Sequence, residues 1–567
     1  MMLLLLQFVL AAASFMQHAV QAYTHPRSSY VRMVASAPSS TSIDDDIMPT
    51  RKCNILICGG GPVGLAMALS LAQRGYNDIH VLERNPSASY FEVDKSYLYR
   101  IDGRGQKLTD QLGITERMAE VSTTTPEFLN ITIIKSDRSV TTVPAPADPR
   151  QKTAYWLPRR ALLSFLHSRI EENDTYRDAI TFHYGTTIEG LSLPENLQSM
   201  EAEACVRVRC MDGTIVNYST TKVLGCDGMN SKIRTGLAAW ATEDGEWHIQ
   251  SKKEHDRFGL HYIDSKSAGL RYKILTLLDD SPLTIMDPTN ITKKELCYSY
   301  VSKSKAGSQG GFRLGLLPLK MAGIPRTANI IARSTTPIFM LTTGLELIEY
   351  LKSEFPQCDI DRMIELEEAE RFAKSPGGIF PKSQYCLESQ VILGGGGGGG
   401  NGVVYKQGEG CGGGIVLLGD AIHAFPPDLG AGVNIAFLDV LNLLDALDEC
   451  NGDWSRALPQ YEESRAIQSR AICELIPIGF PEQYNHMPMR KSIKLLGVGM
   501  RVALSKAIPS LFSPPVFFMC QDVNLDYSQV WEKAKRTTRN LIVLGFAMIV
   551  AMLGTILRKF ALPSLFT

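Results

Sequence analysis

"RKCNILICGGGPVGLAMALSLAQRGYNDIHVLERN", Arg51 to Asn85, switches from strand to helix and back to strand within 35 residues. Cys53 to Cys58 is short and apolar without alternation, which reads as a buried strand. Gly59, Gly61 and Gly64 then stand at GxGxxG spacing. The first permits a tight turn, the second lets backbone approach a pyrophosphate, and the third lets the following helix pack on the strand. Pro62 is tolerated in the first helical turn, and Gly75 closes the helix after Arg74. A second strand ends at Glu83, nineteen residues past Gly64, where a carboxylate accepts both hydroxyls of a ribose. Strand, helix, strand and terminal acid together predict an α/β chain with a Rossmann-like dinucleotide-binding domain, whose cofactor contacts include Val63 and Arg84. The motif does not separate FAD from NAD. Glu83 would repel a 2′-phosphate, so it argues against NADP at this site.

Two further motifs lie downstream. An alternating hairpin, "ACVRVRCMDGTIVNYST" (204–220), turns at Asp212-Gly213. After it, Val223-Leu224 run into Cys226-Asp227-Gly228, with Ser231 and Arg234 following. The third is "GDAIHAFPPDLGAGVN" (419–434), which follows the apolar run 415–418. A strand that ends in Gly-Asp, crosses two prolines and enters a helix through Gly-Ala-Gly suits a surface that touches something large, flat and polar at its rim.

GxGxxG, Asp-Gly and Gly-Asp in this order resemble the motifs of the flavoprotein aromatic hydroxylases, the single-component FAD-dependent monooxygenases. The resemblance runs from about Cys53 to Trp531 and is most specific in 419–434. Within the family it is closest to the kynurenine hydroxylases, including "GRGQKL" (103–108), "IPSLFSPP" (508–515) and an apolar C-terminal segment. It implies bound FAD, transient NAD(P)H, and O2 captured as a flavin hydroperoxide that hydroxylates or epoxidises an electron-rich carbon. It places Asp227 and Gly228 at the cofactor and Asp420 on a ribityl hydroxyl. Pro426 and Pro427 then form a rigid wall with few N–H donors, Pro427 lining the flavin face. Gly430 and Gly432 bring backbone to the ring edge. Val433 and Asn434 begin a helix, running to about Leu447, whose positive end faces the flavin. The family has Gly-Gln-Gly where this chain has Gly430-Ala431-Gly432, so one side-chain contact is lost and the backbone is kept. Arg159 matches the family's flavin-contacting arginine, with Arg160 as the adjacent alternative. His423 takes a structural role. No catalytic side chain is nominated, because the flavin carries the chemistry.

The remaining sequence bounds the alternatives. Lys plus Arg number 58 against 59 Asp plus Glu, which asks for no nucleic-acid partner. Twelve scattered cysteines contain no CxxC pair, so buried reduced thiols are expected and no metal site. Leu3 to Met16 with Val20-Gln21-Ala22 reads as a secretory signal, and residues 23–43 have transit-peptide composition. Signal plus transit points to a plastid, and a plain signal with a linker points to an endomembrane. Leu541 to Leu557 is seventeen residues without a charge, preceded by Lys533, Lys535, Arg536 and Arg539, and reads as a transmembrane tail anchor. The expected organisation is a presequence at 1–50, FAD-binding segments at 51–239 and 401–450, and a substrate sheet at 240–400. Helices follow at 451–540, then the anchor at 541–557. The glycine run 394–400 lacks a following Lys-Ser/Thr and reads as a flexible insertion, not a phosphate loop.

Substrate recognition departs from the kynurenine pattern. That branch holds an amino-acid carboxylate with an arginine and a tyrosine. Asn130 and Pro144 stand at the matching places, Gly479 replaces an asparagine, and Lys95 replaces an arginine beside the flavin. Arg138, in "SDR", reads as a solvated hairpin tip. The expected substrate is therefore less polar than kynurenine, an aromatic or isoprenoid-like compound. Kynurenine 3-hydroxylation, a flavin reductase or oxidase of the same fold, and a non-catalytic flavin protein are the other readings.

Overall fold

The computed structural model describes residues 49–90, 92–124, 130–144, 152–243, 257–279, 281–304, 311–320, 323–394, 412–479 and 488–561. The presequence, but for its last positions, and the glycine run after Gly394 lie outside them. In chain order the elements used below begin with β1 (Ile55–Cys58), α1 (Pro62–Gln73), β2 (Ile79–Leu82) and α2 (Gly103–Gln111). Next come β3 (Asn130–Ile134), β4 (Val140–Pro144), β5 (Ile180–His183), β6 (Lys222–Gly225) and α3 (Lys232–Glu243). The middle of the chain gives β7 (Leu270–Leu277), β8 (Cys297–Val301), β9 (Arg313–Leu316), β10 (Arg326–Arg333) and β11 (Gly378–Ile379). The last strands are β12 (Gln390–Leu393) and β13 (Gly413–Leu417). Five helices close the chain: α4 (Gly432–Glu449), α5 (Trp454–Gly479), α6 (Pro488–Ala507), α7 (Val516–Met519) and α8 (Tyr527–Ala561).

A six-stranded sheet in the order β12-β13-β6-β1-β2-β5 carries the nucleotide motifs. Its strands run parallel except for the edge strand β12. β1 and β13 are buried at every position, as a sheet covered on both faces requires. Small residues along α1 let it lie close, and Gly64 to Ala72 are all buried. A second, seven-stranded sheet has the order β11-β7-β10-β9-β8-β3-β4. It includes the expected substrate-side strands "YKILTLL" and "FRLGLLPL", here within β7 and around β9.

Within the segment 51–239, the hairpin β3–β4 reaches across to the second sheet: β3 pairs in parallel with β8, Ile131 opposite Cys297. A three-stranded sheet of His261–Ile263, Ser383–Tyr385 and His423–Ala424 ties that region to the Gly-Asp loop. The C-terminal segment differs in extent. The expected anchor at 541–557 is the distal half of one 35-residue helix, α8, which includes the basic flank. All eleven cysteines among the described residues are free thiols, nine of them buried.

Candidate functional site

The three glycine motifs and Glu83 leave the nucleotide sheet at one edge. Gly225 pairs with Cys58 on one side and with Leu417 on the other, and Cys58 pairs with Leu82. Four loops therefore start side by side at carboxyl ends of parallel strands, where open α/β sheets bind ligands. Cys226 donates its N–H to Cys58 O at 2.9 Å, which brings the Asp-Gly loop against the GxGxxG turn.

Packing dictates two of the motif glycines. Gly59 has φ +115°, and a Cβ on it would lie 2.4 Å from Cys226 O. A Cβ on Gly64 would lie 1.9 Å from Gly59 O. Gly61 is different, since a Cβ there would meet no protein atom within 4 Å. Its use is to bare backbone at the N-terminus of α1, which no side chain caps. The Glu83 carboxylate accepts from Gly60 N–H at 2.9 Å and Asn85 N–H at 2.8 Å, so the acid is fixed at the rim of the turn. Val63 packs toward Gly419, joining the first motif to the third. Arg84 is largely exposed and pairs with Glu92 at 3.5 Å.

Asp227 accepts from Lys232 N–H at 2.6 Å and Ile233 N–H at 3.2 Å, starting α3. Its other oxygen meets no protein donor, and burial raises its carboxyl above the usual value. Gly228 follows with φ +81° and open space around its Cα. Arg234 donates to Ala421 O at 2.8 Å and to Met229 O at 3.3 Å, cross-linking the Asp-Gly and Gly-Asp loops. Asp420 opens to solvent through the cleft, yet the protein crowded around it raises its carboxyl too.

The Gly-Asp loop is held from behind by a buried network that sequence reading missed. Asp439 Oδ2 accepts from Gly419 N–H at 2.9 Å and meets His423 Nε2 at 2.8 Å. Its Oδ1 accepts from Arg465 Nε at 2.7 Å. Burial works against the Asp439 charge, but Arg465 and His423 outweigh it and hold the carboxyl below its usual value. His423 is thus structural. The signal available in sequence was an acid at the centre of the apolar helix α4 and an arginine on α5.

Beyond Ala424 the loop alternates in and out. Pro426, Asp428 and Leu429 are buried while Pro427 and Gly430 are exposed, Gly430 with φ +59°. Neither Gly430 nor Gly432 has protein within 4 Å of a would-be Cβ. Ala431 precedes α4 without a side-chain cap, and its first turn holds no acid. Asn434, fully buried, donates to Arg100 O at 2.8 Å and accepts from Asp102 N–H at 3.1 Å. Its side chain therefore serves α2, and only its main chain is left for a ligand. Val433 lies beside it in the same turn. Across the cleft, Arg159 lies 3.6 Å from Glu92 and within electrostatic reach of Tyr97 and Tyr99, which also sense Asp420. Those tyrosines stack edge to face at 5.4 Å and were not expected. Their signal is the alternation in "YLYR". Two uncapped helix N-termini, bare glycine backbone and an orphan carboxylate oxygen fit a flavin dinucleotide.

Asp428 adds a buried acid to this loop. One of its oxygens accepts from the Ser267 hydroxyl and the other meets no protein donor. Burial pushes its carboxyl up to about 6, against the Ser267 bond. The folded protein then keeps a proton that the unfolded chain, with its aspartate near pKa 3.9, has released. Stability should fall as pH rises from about 4 to about 6, and level off above. Asp428→Asn is expected to flatten that slope by roughly 3 kcal/mol in total. Urea midpoints across the window check this, and an unaltered slope in the variant rejects it.

The chain matches the family model described as FAD binding domain over residues 52–250 and 411–475. It is 23% identical over 448 residues to a kynurenine 3-monooxygenase of Dictyostelium discoideum, covering 76% of this chain and 81% of that protein. It is also 29% identical over 149 residues to the Sus scrofa protein of that name, covering 25% and 30%. Against that of Saccharomyces cerevisiae it is 28% identical over 211 residues, covering 36% and 39%. The chain thus aligns with well under half of the latter two. Among solved structures, P. aeruginosa PqsL in complex with 2-aminobenzoylacetate is 16% identical, with a TM-score of 0.45 and coverage of 79% of this chain and 100% of that one. The tetracycline destructase Tet(55) is 14% identical, with a TM-score of 0.47 and coverage of 81% and 97%.

Proposed function

Because the chain belongs to the FAD-dependent aromatic hydroxylases, we propose that it is a membrane-attached monooxygenase acting on a lipophilic, electron-rich substrate with NAD(P)H and O2. When bound, FAD supplies electron transfer from NAD(P)H and the activation of O2. The chain supplies the rest. The α1 N-terminus binds the pyrophosphate, Glu83 the ribose and Asp420 the ribityl chain. The N-terminus of α4 favours negative charge at the ring. The Pro427 wall offers no N–H there and orients the substrate face.

The observation that carries the substrate reading is the packing at Gly479. A Cβ there would lie 2.6 Å from Leu429 Cδ2, in the loop beside the flavin wall. An asparagine at this position, where kynurenine hydroxylases keep one, would have to displace the Leu429 side chain. Asn130 and Pro144 are strand partners at the open end of the hairpin, and Asn130 is exposed. Arg138 sits at the opposite tip with φ +69°, about 15 Å along the strands at roughly 3.3 Å per residue. Its guanidinium lies on Met286 Sδ at 3.2 Å. Lys95 is engaged with Glu92 at 2.8 Å. None of the four positions compared with the kynurenine pattern brings an arginine to the Leu429 loop, and a carboxylate buried without such a partner is costly.

Attachment rests on α8. Tyr527–Thr555 is long and apolar enough to cross a bilayer and little of its apolar window is buried, with Val543, Phe546, Met548, Val550 and Leu553 all exposed. The heavier basic flank is N-terminal, which keeps the globular part on the positive-inside face. The plastid destination draws no support from the relatives.

The test is stopped-flow reduction of the yellow, FAD-loaded protein by NADH and NADPH. The panel should hold L-kynurenine and lipophilic aromatic and isoprenoid compounds. A lipophilic compound is expected to accelerate reduction and to yield an oxygenated product, while L-kynurenine does neither. Efficient, tightly coupled hydroxylation of L-kynurenine rejects the substrate reading, and NAD(P)H oxidation without oxygenated product from any compound would mark a reductase or oxidase.

A further inference from the structure

We propose that α6 and the loop after it lie in the surface of an acidic bilayer, so that the flavin loop is backed against the lipid from which substrate is drawn. The inference rests on reading α8 as the anchor. Residues 488–521 contain no Asp or Glu and, besides the half-buried Arg501 that docks on α8, four cations, Arg490, Lys491, Lys494 and Lys506. Such a run beside an apolar span suits acidic headgroups, each cation near the surface being worth about 1 kcal/mol. The same stretch exposes Val498, Met500, Ile508, Leu511 and Phe518, with Leu511 49% exposed. Large apolar side chains beside cations, without an acid among them, are the composition of an interfacial helix.

Three hydrogen bonds fix the height of this surface against α8. Arg501 donates to Thr538 Oγ1 at 2.8 Å, Ser513 N–H to Thr537 Oγ1 at 2.8 Å, and Asn540 Nδ2 to Leu511 O at 2.7 Å. The end of α6 and its loop therefore dock at residues 537–540, the turn before the charge-free stretch that begins at Leu541. In an anchored molecule that turn is at the membrane surface, so Ile508 and Leu511 meet lipid at headgroup depth. The inner side of the same segment reaches the site. Val516 and Met519 of α7 pack in one buried cluster with Leu429, Ala431 and Ile435 of the flavin loop and α4. Arg104 fastens the join, donating to the carbonyls of Cys520, Asp522 and Leu525 at 3.1, 2.6 and 2.6 Å. Ile472 and Ile476 of α5 complete the cluster, so the lipid-facing loop and the flavin loop share one apolar core.

The experiment uses the full-length protein in nanodiscs of phosphatidylcholine with a minor share of phosphatidylserine. Ile508→Trp and Leu511→Trp are compared with Met211→Trp, a position 75% exposed on a distant hairpin. Emission from the first two is expected to shift to the blue and to be quenched several-fold by lipids brominated near the headgroup, with the control unaffected. Quenching should drop when phosphatidylserine is left out, and equal quenching in neutral lipid overturns the acidic-surface assignment. Co-elution with nanodiscs but wet, unquenched probes overturns the inference and leaves the anchor standing. A blue shift that brominated lipid does not quench means that protein covers the surface, and overturns it too. Failure to co-elute removes the anchor reading together with this one.

Discussion

Asp439→Ala is expected to destabilise the protein by about 3–5 kcal/mol, the cost of leaving one half of a buried ion pair behind. Asp439 is 0% exposed and Arg465 3% exposed, so neither finds water when the other is removed. The variant strands the Arg465 guanidinium, frees His423 Nε2 and releases the Gly419 N–H that sets Asp420 at the cleft. Flavin content should therefore fall with stability. Thermal and urea denaturation measure the first loss, and the absorbance of released FAD the second. Asp439→Leu paired with Arg465→Met separates charge from shape, because replacing both partners with apolar groups is often close to neutral. Recovery of most of the lost stability in the pair, but not of flavin binding, is the expected pattern. A single variant within about 1 kcal/mol of the parent sinks this account. Because the carboxyl is held low, the network's contribution is present at neutral pH and is lost as acid protonates it.

That network shows where sequence reading ran out. The three loops were legible because each is local: a glycine spacing, a strand before it and a helix after it lie within a few dozen residues. Asp439 and Arg465 were not, because a charge inside a helical pattern looks the same whether it faces water or a partner on the next helix. The hairpin 130–144 was not legible as part of the second sheet for a related reason. Its parallel partner β8 is more than 150 residues away, and parallel pairing leaves no turn signal to read. At the C-terminus the basic flank was taken as the border of a separate anchor. Helical hydrogen bonds are indifferent to side-chain polarity, and α8 runs through from Tyr527. Gly479 carried its information in the other direction. A glycine near a helix end usually means a cap, and only the structure shows that a side chain there would press on Leu429.

Alanine at each motif glycine is expected to divide the first loop into scaffold and cofactor contact. Gly59→Ala forces a side chain into a left-handed backbone at φ +115° and sets its Cβ 2.4 Å from Cys226 O. Strain of about 1–3 kcal/mol and overpacking of about 1–3 kcal/mol act together there. Gly64→Ala keeps an ordinary helical backbone, but its Cβ would lie 1.9 Å from Gly59 O, so helix and strand must separate. Both variants should lose several degrees or more of melting temperature even as apo-protein. Gly61→Ala meets no protein atom, so its apo-protein should melt with the parent. Its methyl instead occupies the approach to the α1 N-terminus, and FAD affinity should drop about 10- to 100-fold, the equivalent of roughly 1–3 kcal/mol of steric cost. Calorimetry of the three apo-proteins, set beside FAD titration of Gly61→Ala, makes the comparison. Parent-like FAD binding by that variant would place the pyrophosphate elsewhere, since the only reason the structure gives for a glycine at 61 is room for a ligand.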